Sequence, residues 1–169
     1  QWFTDHGFQA RVYAWTAAFF SLGLVVFAGQ VAALLPAPHR YIFFGGVLGF
    51  ALTAQVQAWI WAGLAFQPDV LDPGTARTLF AITSFWGPLV NGSTTAMAAA
   101  IAALGFGRAP ILPPWLAWLS VAFCIEQAVE TVTVFGQDGF IAPGGTIHVY
   151  LGGAIGFLCV GDTDGLDGL

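Results

Sequence analysis

Apolar residues run along this chain in long stretches, each closed by a cluster of proline, glycine or charge, rather than in the rhythm of a surface helix. A helix needs about 20 residues to cross a hydrocarbon core of about 30 Å. By that measure Val12–Leu35 is a first span, ended by Pro36-Ala37-Pro38-His39-Arg40, and Tyr41–Phe66 is a second, ended by Gln67-Pro68-Asp69. Asp72-Pro73 gives a capping oxygen followed by a proline suited to a first turn, so a third helix is expected over Pro73–Phe106. That is longer than a perpendicular span, and Gly87-Pro88 inside it predicts a kink near a third of its length. Pro113-Pro114 opens a fourth helix to Phe135, closed by Gly136-Gln137-Asp138-Gly139. Ile147–Val160 reads as a shorter fifth helix, and the acidic, glycine-rich tail Gly161–Leu169 as a disordered end. The expected fold is all-α, a single multi-pass transmembrane domain of five helices.

Composition agrees with this pattern and removes other classes. Charged residues make up 8% of the chain and hydrophobic ones 57%, with no lysine and a mean hydropathy of +0.78. A soluble domain carries about 25% charge, so most of this surface must face lipid. Four dispersed arginines in a chain of net charge -5 form no basic patch, which excludes nucleic acid as a partner. Cys124 and Cys159 each sit in an apolar run and read as small buried hydrophobes. The chain starts at Gln1, and Gln1–Arg11 lacks the pattern of a signal peptide, so a processed portion of a longer protein is expected.

Close helix approach in lipid uses small residues. Gly45-xxx-Gly49, Gly152-xxx-Gly156 and the Ala96–Ala103 stretch supply them, for packing within one bundle or against a second copy. Trp2, Trp15, Trp115 and Tyr150 fall near helix ends, as an aromatic belt requires, while Trp59, Trp61 and Trp86 are expected in packing contacts. Positive charge splits two against two between the sides, and the acid-free loops with Arg40 and Arg108 are assigned to the cytoplasm.

Glu126 and Glu130 stand out because they are four residues apart on one face of the fourth helix, where an ionised carboxylate is costly. Matching depths brings Gln55 and Asn91 to the same level, with His148 opening the fifth run on Glu130's side and Gln57, Gln127, Ser93, Thr94 and Thr95 as further polar neighbours. A candidate ligand site is therefore Glu126, Glu130, Gln55, Asn91 and His148. Three uses compete for it: hydrogen-bonded glue with a neutral Glu126, a site for a cation, a proton or the polar head of an apolar molecule, and proton transfer on a lipid-like substrate. Two carboxylates and one histidine without a Glu-x-x-His pair or a Cys/His cluster do not make a metal site, and the histidines do not pair for haem. Nucleophile motifs, a phosphate loop and a dinucleotide fingerprint are lacking, which points away from a soluble-type enzyme and names no cofactor.

Leu112–Ser120 reads Leu-Pro-Pro-Trp-Leu-Ala-Trp-Leu-Ser, and Asp72–Phe80 reads Asp-Pro-Gly-Thr-Ala-Arg-Thr-Leu-Phe. These segments resemble uncharacterised small multispanning membrane proteins of high-G+C bacteria, whose penultimate helix begins with a Leu-Pro-Arg-Trp-Leu-Gly-Trp-Leu type of run. The resemblance covers roughly Asp72–Gly156. It implies a bacterial plasma membrane protein and carries over no functional residues. The present chain departs from the pattern at Pro114, where an arginine is usual, and at Glu126 and Glu130, in a helix that is commonly apolar. The expected role is an accessory or apolar-ligand-binding subunit, as a homo-oligomer or in a larger membrane complex. A small transporter or proton-coupled carrier and a lipid-acting membrane enzyme are the alternatives.

Overall fold

The computed structural model describes residues 2–106, 110–136, 139–142, 146 and 150. Apart from Tyr150, the expected fifth helix over 147–160, with His148 and Cys159, lies outside the described residues, as do the tail 161–169 and Arg108. A short helix α1 (Trp2–Asp5) leads into α2 (Gly7–Leu34), α3 (His39–Phe66), α4 (Pro73–Ser84), α5 (Trp86–Phe106) and α6 (Pro114–Glu130), the last tightening into a 3-10 turn over Thr131–Phe135. Among the described residues there is no strand, and four stretches are long and apolar enough to cross a membrane: Gly7–Leu34, His39–Phe66, Pro73–Phe106 and Pro114–Phe135. The protein is an all-α, multi-pass bundle.

Local chemistry accounts for the boundaries. Helix α2 begins before the apolar run does, because its polar first turns still hydrogen-bond locally; Arg11 Nε donates to the Gly7 carbonyl at 3.3 Å. Asp72 caps α4, accepting from the Thr75 N–H at 2.9 Å, and Pro73 follows in the first turn. Replacing Asp72 by alanine is expected to cost about 1 kcal/mol, read as a lower unfolding midpoint in detergent; an unchanged midpoint would remove the cap from the account. The 34-residue stretch Pro73–Phe106 is interrupted at Phe85. Pro88 has no N–H to offer the Ser84 carbonyl, so α4 stops there and α5 restarts, with Leu89 N–H donating to Phe85 O at 3.2 Å.

Each long helix packs on the next: α2 on α3, α3 on α5 and α5 on α6, with α4 against the end of α3. Most of what lies inside is small or polar, and much of what lies outside is large and apolar. Ala10, Ala28, Ala58, Ala100 and Ala117 are buried, whereas Phe8, Trp15, Phe27, Trp59, Trp115 and Trp118 face outward. This is the reverse of a soluble protein, and it follows from lipid as solvent: a large apolar side chain gains nothing by leaving hydrocarbon, while close helix approach gains contact. Trp59 thus departs from the expected packing role, and Trp61 and Trp86 are half-buried. The apolar core, built on Phe43, Val47 and Leu104 with Ala28, Leu35 and Ala100, joins α2, α3 and α5 at the Arg40 end of the bundle.

The glycines that permit the approach are Gly46 and Gly49, not Gly45 and Gly49. A Cβ on Gly46 would sit 2.6 Å from the Ser93 carbonyl oxygen, and one on Gly49 would overlap the Ser93 hydroxyl, whereas Gly45 faces open space. The same device closes α5 on α6, where a Cβ on Gly105 would overlap the Ala117 methyl.

Candidate functional site

Helices α5 and α6 run antiparallel, and their facing stripes set the register of the polar site. From one end to the other, Gly105 lies on Ala117, Cys124 Sγ reaches the Thr95 carbonyl, Thr94 meets Gln127, and Gly87 lies beside Glu130. A Cβ on Gly87 would be 3.9 Å from Glu130 Oε1, so the bare glycine leaves room for that carboxyl. Glu126 is twelve residues along α6, roughly 18 Å from its start at 1.5 Å per residue.

Gln127 is the centre of the arrangement. Its Nε2 donates to Glu126 Oε2 at 2.7 Å and to Glu130 Oε2 at 3.3 Å, and its Oε1 accepts from the Thr94 hydroxyl. Thr94 Oγ1 also lies 3.1 Å from the Asn91 carbonyl, the usual back-bond of a helical threonine. Glu126, Gln127 and Glu130 are all buried. Two buried carboxyls thus share the Gln127 amide, and α5, α6 and Thr131–Phe135 carry no arginine or histidine.

Asn91 belongs to the same stripe of α5, one turn from Gly87 and one turn from Thr94. It is 2% exposed, and its Nδ2 has no hydrogen-bond partner. Thr133, three residues beyond Glu130 in the 3-10 turn that packs on α5, is 1% exposed and its hydroxyl is likewise without a partner. Neither Thr133 nor the central position of Gln127 was evident in the sequence. The available signal was the polar series 126, 127, 130, 131 and 133, which keeps to one side of a helix.

Gln55 is placed elsewhere. Its amide donates to the Ala17 carbonyl at 3.3 Å and so joins α2 to α3. Gln57 belongs to a second network at the α4–α5 break: it accepts from Tyr13 Oη at 3.0 Å and donates to the Thr83 carbonyl at 3.4 Å, while Trp61 Nε1 donates to Thr83 Oγ1 at 3.0 Å. Tyr13, Trp61, Phe80 and Phe3 pack their rings around it, with Tyr13 and Trp61 centroids 5.1 Å apart. Among the described residues no three His, Cys, Asp or Glu side chains come together as a metal site.

Against this polar interface lies a cleft of about 360 Å³, walled by Phe20 of α2, Phe43 and Phe50 of α3, Met97 and Ile101 of α5 and Phe123 of α6. Thr94 is its one wall residue with a polar side chain, and the same residue that hydrogen-bonds Gln127. The fold and these features together define a multi-pass α-helical protein suited to a membrane, with a buried carboxyl pair beside an apolar cleft. Comparison with family models, with curated proteins and with solved structures gives no match, so the chemistry is read from the chain itself.

Proposed function

We propose that this protein is an accessory, ligand-binding subunit of a bacterial plasma membrane complex, holding an apolar molecule such as a lipid chain, a quinone-like or a pigment-like compound in the cleft between α2, α3, α5 and α6. The observation that carries the reading is the cleft itself: four helices converge on it, its wall is phenylalanine, methionine and isoleucine, and its volume lies in the range of small-molecule sites. Thr94 couples that wall to the carboxyl pair through one side chain, so a bound molecule and the state of Glu126 and Glu130 would sense each other. The resemblance at Leu112–Ser120 supports the bacterial setting, and the acid-free sequences around Arg40 and Arg108 support a cytoplasmic assignment of those loops. Partners of the assembly would be membrane lipids together with further copies of the chain or a larger complex.

The test is purification from the native membrane in mild detergent, followed by mass spectrometry and absorption spectroscopy of the extracted small molecules. A stoichiometric apolar compound is expected in the wild type. Ala98→Trp, which places an indole in the cleft wall, should reduce its amount at least tenfold while circular dichroism stays unchanged. A wild-type protein that carries no such compound, or a variant that keeps it in full, would overturn the assignment.

A further inference from the structure

The wall of the cleft restricts what can enter it. None of the residues that form it is charged, and its single polar side chain, Thr94, has one hydroxyl hydrogen and two acceptors for it, Gln127 Oε1 on α6 and the Asn91 carbonyl on α5. The wall therefore offers a ligand no free side-chain donor. A quinone ring brings carbonyl oxygens and a pigment its polar substituents, and each would give up hydrogen bonds on entering without gaining one. A hydrocarbon chain has none to lose. The wall is also elongated: on α3 it runs from Phe43 to Phe50 and on α5 from Thr94 to Ile101, roughly 10 Å along each helix at 1.5 Å per residue. Phe43 and Ala98 are buried, whereas Phe20 is 55% exposed, so the cleft is continuous with the outward face of the bundle and a chain can enter it sideways.

On the reading of the cleft as a ligand site, we infer that its occupant is one flexible hydrocarbon chain of a membrane lipid, whose polar head stays outside, and that recognition belongs to the chain. The lipid comes from the leaflet at the Arg40 end of the bundle. Phe43 and Phe50 lie three and ten residues beyond Arg40 on α3, roughly 4.5 and 15 Å along the helix, and one leaflet is about half of a hydrocarbon core of about 30 Å. The unbranched Met97 side chain adapts to an occupant that changes conformation. Attraction to such a wall is dispersion over contact area, so it grows with the length of chain in the cleft and is indifferent to the head.

The experiment offers the full chain equimolar pairs of probes in mild detergent and counts what native mass spectrometry finds retained. Against dioleoylphosphatidylcholine, dihexanoylphosphatidylcholine and the tail-less ring 1,4-naphthoquinone should each be retained at least tenfold less, and dioleoylphosphatidylglycerol within twofold as much. Ala98→Trp should lower retention of the dioleoyl lipid at least tenfold. Phe20→Ala, which removes a wall ring at an exposed position where folding is not at stake, should lower it about threefold, and Leu52→Trp, on the outward face of α3, should leave it unchanged. Retention that follows the head, with phosphatidylglycerol held tenfold over phosphatidylcholine, or naphthoquinone held as well as the long-chain lipid, overturns this inference while the cleft stands as a ligand site. A wild type that retains none of the probes, or retention untouched by both Ala98→Trp and Phe20→Ala, overturns the cleft as a site and this inference with it.

Discussion

Gln127→Leu is expected to destabilise the protein by about 3–6 kcal/mol, since two hydrogen bonds to buried carboxyl oxygens, each of about 1.5–3 kcal/mol, are lost. The leucine has nearly the right size, so packing survives and the polar defect dominates. Glu126 and Glu130 are left without their shared amide, and the Thr94 hydroxyl loses its acceptor on α6. Equilibrium unfolding in mixed micelles, followed by circular dichroism, measures the effect. Gln57→Leu provides the comparison: it breaks the bonds to Tyr13 and Thr83, but at a half-buried position, and about 1 kcal/mol is expected. Equal losses in the two variants would show that burial of the carboxyl pair adds nothing to the need for Gln127.

Gly46→Val is the second large effect, with an expected loss of about 3 kcal/mol or failure to assemble, against Gly45→Ala, which should be neutral or slightly stabilising. The contrast between adjacent residues is geometric. Any Cβ at position 46 meets the Ser93 carbonyl oxygen at 2.6 Å and Met97 Cγ at 2.7 Å, and the carbonyl belongs to a helix backbone that cannot give locally. Position 45 points into open space, where a methyl only improves helix propensity. Both variants are read by resistance to unfolding and by monodispersity in detergent. A Gly46→Val protein as stable as wild type would show that α3 and α5 tolerate a wider spacing than this contact implies.

These two sites differ in how much of them the sequence revealed. The long apolar runs, the Asp72-Pro73 start and the Gly87-Pro88 interruption are local signals, set by hydropathy, capping and the missing proline N–H, and the all-α, multi-pass architecture follows from them. Glu126 and Glu130 stood out for the same reason, since a charge in an apolar run is visible without knowing its neighbours. Depth matching also put Asn91 at the level of the glutamates, and it lies on the α5 stripe that faces α6.

What depth could not supply was rotation about each helix axis. Gln55 lies at a plausible depth yet turns to α2, because α3 sits between α2 and α5 and each of its residues must serve one neighbour or the other. Gly46 rather than Gly45 makes the close contact for the same reason, since adjacent positions point about 100° apart. Lipid gives no help here: with apolar side chains welcome on every outward face, hydropathy no longer marks the inner one, and rotation is fixed by small-residue contact and hydrogen bonding between helices. The sequence by itself therefore determined how many times the described chain can cross a membrane and which residues are costly there. Only the tertiary structure decided that Gln127 joins the two carboxyls, that Asn91 and Thr133 are buried with an unpartnered polar atom each, and that Thr94 links Gln127 to an apolar cleft, because each of these depends on which helices face one another.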